Sequence, residues 1–266
     1  MSNRTNVCPH RRVGLVIFIL AVKVYYILAA IPDYIHICNR DDPLAHICIN
    51  NSIEALRTKL AEGIPELDVP PIEPLIIPTI GLRRGTRGAE FSANMSGISV
   101  WGCSSFRIDE LKTDLDKNIF DFKLTLPKLK FSGKYSVNTN VLFLKISGKG
   151  DLFGNFTDYK PTVSMRGYKV QQNNQTYLKM GKMTIKIKIG SAQLKLTNLF
   201  NGDPVLGEAT NRVINENSKL FLEEIRPALE EALSSLFTDI SNKITLRFTY
   251  DELFPLSTKK KDDKKS

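Results

Sequence analysis

The chain is short of the groups most enzymes use. Among 266 residues there are three His (His10, His36 and His46), so nothing after residue 46 can supply an imidazole. That excludes Ser-His-Asp and Cys-His machinery from the body of the fold, unless the N-terminal loop folds over it. There is no G-x-S-x-G elbow, and Ser147–Asp151 (SGKGD) lacks the spacing and the GK[ST] ending of a phosphate loop. Asp114 with Asp116, and Glu223 with Glu224, read as surface carboxylates rather than a catalytic pair. No glycine period points to collagen, and 42% hydrophobic residues exclude a wholly disordered chain. Beyond the N-terminus, no apolar run approaches the roughly 18 residues needed to cross a bilayer.

The net charge of +9 is unevenly placed. Residues 1–30 contribute +4 and the tail 259–266 (KKKDDKKS) contributes +3, leaving +2 for everything between. The body is close to neutral, so the basic pI does not point to nucleic acid. The tail has no apolar residue and is expected to be disordered.

Arg11-Arg12 precede the ten apolar residues Val13–Val22, and small residues end the stretch at Ala29-Ala30. A basic start, an apolar middle and small residues before a polar region describe a secretory signal peptide over residues 1–30. The alternative is an uncleaved anchor, which Lys23 disfavours at about 2.5–3.5 kcal/mol for a mid-helix charge. Without the signal, no stable membrane insertion is expected, and the mature protein should be secreted into extracellular fluid. Sequons at Asn50, Asn94, Asn155 and Asn174 are candidate glycosylation sites in that compartment.

Cys38 and Cys48 enclose a short polar loop of a size that a disulfide can close. His36-Ile37-Cys38 and His46-Ile47-Cys48 also offer a zinc donor set, but without the usual zinc-finger spacings. No metal is assigned and no cofactor is implied. Cys8 would leave with the signal, so Cys103 should be unpaired, as a small buried apolar group.

Ser52 reads as the N-cap of a short helix carrying Ile53, Leu56 and Leu60, stopped by Gly63 and Pro65. The proline-rich segment 65–78 cannot be a central strand and should lie extended over an apolar surface. From Ile80 to about Leu196, period-2 alternation predicts an antiparallel, half-buried sheet; Phe120–Leu126 and Ile185–Ile189 show it most plainly. From Glu208 to about Ile244, apolar residues recur at three- and four-residue steps, predicting a long helix bent at Pro227. Glu223, Glu224, Glu230 and Glu231 take its other side. At about 1.5 Å per residue such a helix would be roughly 54 Å long. That predicts an elongated molecule or a sharp kink. No linker divides residues 31–258, which read as one domain.

Residues 63–80 (GIPELDVPPIEPLIIPTI) and 198–255, with NLFNGD near the start and YDELFP at the end, resemble the insect takeout / haemolymph juvenile hormone binding protein family. WGCSSFRIDEL, LPKLKFSGKY and LKISGKGDLFGNF lie in family order between them, and the early Cys38–Cys48 pair also fits. The resemblance covers about residues 38–255. It implies an α+β fold, an elongated wrap of a highly curved antiparallel sheet around a long C-terminal helix, enclosing a hydrophobic tunnel. It also implies a carrier rather than an enzyme, whose partner is a small hydrophobic ligand, terpenoid or fatty-acyl. The family association is with circadian and feeding behaviour. The expected tunnel lining is Phe120, Phe122, Leu124, Phe131, Val141, Phe143, Ile185 and Ile187 from the sheet. From the helix it is Phe221, Ile225, Leu229, Leu233 and Phe237. An interaction protein with a filled core, engaging a receptor or membrane by its surface, is the alternative.

Overall fold

Alternating apolar and polar residues build the longest elements of the chain. A computed structural model describes residues 30–84, 91–141 and 144–257. The expected signal segment, Phe143 and the lysine-rich tail lie outside the described residues. Among the described residues, eight strands form one antiparallel sheet: β1 (Leu75–Arg84), β2 (Phe91–Trp101), β3 (Arg107–Asp114), β4 (Ile119–Val141), β5 (Leu144–Gln172), β6 (Gln175–Met180), β7 (Thr184–Lys188) and β8 (Ser191–Leu196). The β4–β5 hairpin is its spine. Along β4 the partners are β3 and then β2, while β5 carries β8, β7 and β6 in turn.

Strands of 23 and 29 residues are several times the usual length, and the sheet they support is curled. The burial pattern locates a corner. On β4, Phe120 and Leu126 face inward at even positions, whereas Leu129, Phe131 and Tyr135 do so at odd ones. The opposite change occurs on β5, where Tyr159 is buried at an odd position and Phe156, Leu152 and Ile146 at even ones. Pairing stays in register through the change, from Leu126↔Tyr159 to Leu129↔Phe156. Pro127-Lys128 and Thr157-Asp158 are the adjacent exposed pairs that absorb it, and Asp158 has φ 52°. The β5–β6 turn is tighter. Asn173 and Asn174 both have positive φ (49° and 60°), the two-residue hairpin geometry that matches strand twist.

The proline-rich stretch is partly a strand. β1 begins at Leu75, and its Pro78 is accommodated because β1 is an outer strand and faces the bulge at Gly97 (φ 57°). The first helix also begins earlier than its sequence indicates. α1 (Ala45–Ala55) is followed by α2 (Arg57–Glu62), and Ser52 is a buried mid-helix residue whose hydroxyl donates to the His36 carbonyl at 2.9 Å. Gly63 does stop α2, at φ 87°, where a Cβ would lie 2.9 Å from Pro71 N.

The long helix is two helices. α3 (Pro204–Glu216) starts at an N-cap, with Leu206 N–H donating to Asp203 Oδ1 at 2.9 Å and Pro204 in the first turn. α4 (Ser218–Thr245) follows. The break falls at Asn217 (φ −111°), and Pro227 lies inside α4. Asn217 ends α3 by turning its own amide back to the Val213 carbonyl at 2.9 Å, competing with helix continuation. α3 packs on β8, and α4 crosses β1, β6, β7 and β8. The main core joins the sheet's inner face to Ile214, Leu222, Ile225 and Leu233.

A smaller core joins Ala45, Leu115, Phe120, Leu178, Met180 and Tyr250. It is closed by the short helix α5 (Tyr250–Leu253), which has a Thr249/Glu252 capping box. Arg40 clasps this end to the disulfide loop. It pairs with Asp251 and donates to the Phe254 carbonyl at 3.0 Å, while Tyr250 donates to the Leu115 carbonyl at 3.2 Å. The YDELFP motif thus supplies a structural clasp.

Candidate ligand cavity

Side chains four residues apart on a helix stack along one face. Phe221, Ile225, Leu229, Leu233 and Phe237 form such a row on α4, and it faces the inside of the curled sheet. Together they enclose a cavity of about 460 Å³. β1 and β2 contribute Ile77, Ile80, Met95 and Ile98, and α1 and α2 contribute Ile53 and Leu60. Phe131, Phe156 and Tyr159 stand at the sheet corner, with Phe131 and Phe156 centroids 4.6 Å apart and Phe156 stacked on Tyr159 at 6.3 Å.

Among the described residues, no Lys, Arg, Asp, Glu or His lines the cavity. Asn94 and Ser136 belong to the wall but are exposed register partners, alternating with Ala93, Met95, Tyr135 and Val137 on the inner side. The inward polar groups are Tyr135, Cys103 and Tyr159. Tyr135 donates to the Thr197 carbonyl at 2.6 Å. Cys103 is a free thiol 3.8 Å from the Val100 carbonyl. Burial, reinforced by the nearby Glu73 charge, pushes this thiol up to about 12. Burial likewise raises the Tyr159 phenol.

The helices hold their places by finishing the sheet. β6 and β8 offer backbone groups at the edge, and helix side chains satisfy them. The Asn242 amide accepts from Met180 N–H at 2.8 Å and donates to its C=O at 3.0 Å. Asn215 grips Leu194 the same way (2.8 and 2.8 Å), and Asn211 grips Leu196 (2.8 and 2.9 Å). On β7, Ile187 N–H donates to buried Glu230 at 2.9 Å. Between β6 and β7, Met183 N–H donates to Thr238 at 2.9 Å, and the Ser234 hydroxyl donates to the Met183 carbonyl.

Nine residues expected at the lining meet here: Phe122, Leu124, Phe131, Ile185 and the five α4 residues. Ile187 is buried in the main core without lining the cavity. Phe120, near the far end of β4, packs against Phe254 at 6.1 Å in the smaller core instead. The side chain of Val141 and all of Phe143 lie outside what is described. Sequence reasoning missed Cys103, Phe106, Phe156 and Tyr159 as lining; Phe156 and Tyr159, three apart, break the period that would have flagged them. Cys38 and Cys48 are joined as a disulfide, which removes the thiols of the zinc alternative. Of the sequon asparagines, Asn94 and Asn174 are exposed, and Asn50 and Asn155 are half-buried.

Known proteins share this architecture. The crystal structure of Epiphyas postvittana Takeout 1 superposes with a TM-score of 0.69 at 20% identity, covering 83% of this chain and 100% of that one. The circadian clock-controlled protein daywake of Drosophila melanogaster is 27% identical over 215 residues, covering 78% of this chain and 83% of daywake. A Schistocerca gregaria protein named for proposed beta-carotene binding is 21% identical over 221 residues, 82% of this chain and 86% of its own length. The haemolymph juvenile hormone binding protein profile matches residues 15–255. With nearly the whole chain matched, this protein belongs to the haemolymph juvenile hormone binding protein family.

Proposed function

We propose that the protein is a secreted, non-enzymatic carrier that holds one small hydrophobic molecule between the curled sheet and α4. The observation that carries this reading is the cavity of about 460 Å³, which no charged residue lines among the described residues. A core folded only for stability packs to crystal-like density, with few voids larger than a water molecule. Covering roughly 300–400 Å² of ligand hydrocarbon at about 25 cal/mol per Å² gives around 8–10 kcal/mol before ordering costs. That supports micromolar or tighter binding without a buried charge.

Juvenile hormone and beta-carotene, in the names of the family and of the locust relative, fit a long apolar or terpenoid occupant. The daywake relative supports a timing-linked role. The Cys38–Cys48 disulfide favours an oxidising, extracellular compartment. Among the described residues, no helix is long and apolar enough to cross a membrane. The receptor alternative requires a filled core, and the cavity disfavours it.

Native mass spectrometry of the secreted protein, followed by solvent extraction, tests the carrier reading. A stoichiometric isoprenoid or long-chain compound is the expected result. A protein that emerges empty and also rejects added terpenoids and fatty acids would move the function to its outer surface.

A further inference from the structure

The outer face of the sheet carries large apolar side chains that face away from the core. Phe153 on β5 is 44% exposed, Trp101 on β2 is 37% exposed and Ile76 on β1 is 46% exposed. The register joins them into one ledge. Ile76 pairs with Ser99, Ser99 with Ser132 and Ser132 with Phe153, so only small serines separate the two apolar ends of that row. Trp101 stands in the next row, which runs through Lys130 to Asn155. Asn155 belongs to the same face. Its chain neighbours Gly154 and Phe156 are buried, while Phe153 and Thr157, two residues to either side, are exposed. Residues two apart on a strand stand side by side, roughly 7 Å from each other. Asn155-Phe156-Thr157 is also a sequon. The sequon at Asn94, likewise on a strand, has Gly81 and Ser136 as register partners and no ring in that row.

We propose that Asn155 carries an N-linked glycan that lies on Phe153 and shades Trp101, and that this sugar is the cover of the exposed ledge. The inference rests on the secreted part of the carrier reading and not on the ligand. In the secretory pathway, Asn155 Nδ2 attacks C1 of an oligosaccharide held on a polyisoprenyl diphosphate. A C–N bond forms, the C–O bond to the diphosphate breaks, the lipid diphosphate leaves, and the amide nitrogen gives up one proton. The fold accommodates the product because Asn155 lies on the outer face, away from the cavity. A pyranose ring presents C–H groups on one face, and these meet the negative face of a phenyl ring as an aromatic edge does. The sugar hydroxyls stay in water, beside exposed Lys130 and Lys195. An anionic membrane is the other surface that rings and lysines of this kind fit. The sequon on the ledge itself assigns it to sugar instead, because a bulky, hydrated glycan keeps a bilayer away.

The test uses the full chain secreted from insect cells. Peptide mass spectrometry should find Asn155 glycosylated in most molecules. Trp101 is the one tryptophan of the chain, so acrylamide quenching of its fluorescence reads the ledge directly, and Asn155→Gln should increase the quenching. The same variant should lower Tm by about 2–4 °C, and the loss should vanish in a Phe153→Ser background, where the sugar has no ring to rest on. Secreted protein with a bare Asn155 overturns the proposal and leaves the carrier standing. Equal Tm losses in both backgrounds, or quenching indifferent to the glycan, overturn it too. A shift of Trp101 emission when phosphatidylserine vesicles are added to the glycosylated protein would overturn sugar as the cover and give the ledge to a membrane. A chain retained in the cell with every sequon bare overturns the secreted reading as well. Occupancy is read on the wild type, so it decides without any variant having to fold.

Discussion

Glu230 Oε1 accepts the backbone N–H of Ile187 at 2.9 Å, from a helix position between cavity-lining Leu229 and exposed Glu231. Its other carboxylate oxygen accepts Lys186 Nζ at 2.9 Å, but that lysine side chain is 72% exposed and contributes little to stability. The backbone bond is the important one. Glu230→Leu should destabilise the fold by about 1–3 kcal/mol, because a buried N–H is left without a partner. Glu230→Gln keeps an acceptor and should stay within about 1 kcal/mol of wild type. Urea denaturation of both variants measures the difference; equal losses would show that the bond is not what holds β7 to α4.

Asn242 makes the same argument with both halves of its amide. Replacing it by Ala strands the Met180 N–H and C=O together, with an expected loss of about 1–3 kcal/mol. Asn242→Asp should not rescue stability, because it keeps the acceptor but sets an oxygen against the Met180 carbonyl. An Asp variant as stable as wild type would show that the C=O contact is dispensable.

Glu73 ties β1 to the turn after β2, accepting from Gly102 N–H at 2.7 Å, Ser104 N–H at 3.1 Å and the Ser104 hydroxyl at 2.9 Å. Burial alone would raise its carboxyl, but these donors together hold it below the ordinary 4.5. A folded-state value below the unfolded one stabilises the fold above pH 4.5, and that stability is lost as pH falls through the folded value. The stability gap between wild type and Glu73→Gln should therefore be widest near neutrality and close below pH 4.5. Denaturation midpoints measured from pH 3 to 7 follow it; a gap independent of pH would contradict the ionic assignment.

The sheet was legible in the sequence because Phe120–Leu126 and Ile185–Ile189 keep period two within one flat segment. The corner was not. Leu126 and Leu129 both face inward, as do Phe156 and Tyr159, and an odd spacing reads as a broken strand unless the partner strand is known to reverse with it. The helix row Phe221–Phe237 was legible for the opposite reason, since its four-residue step survives the inserted Pro227. The Asn217 break was hidden because apolar periodicity continues across it, and only a local side-chain bond marks it. Glu230 reads with Glu223, Glu224 and Glu231 as part of the helix's polar side, and Asn211, Asn215 and Asn242 give no signal of their own. Polar side chains that complete a distant strand carry no periodic signal. The cavity itself is a difference between wall and contents, so no residue pattern encodes it directly.

Cys103 offers a direct report on that cavity. The thiolate is the reacting species, and burial pushes the thiol from 9.0 up to about 12, so the reactive fraction at neutral pH falls by about two to three orders of magnitude. Iodoacetamide should therefore modify native Cys103 at least about a hundredfold more slowly than Cys103 in urea. Peptide-level mass spectrometry isolates this thiol from the disulfide-bonded Cys38 and Cys48. Because Cys103 lines the cavity, a bound lipid should slow the native reaction further, in proportion to occupancy. A native thiol that reacts as fast as the unfolded one would put it in solvent rather than in the wall. A protected thiol insensitive to saturating ligand would place the occupant elsewhere along the cavity, away from the sheet corner where Tyr159 stands.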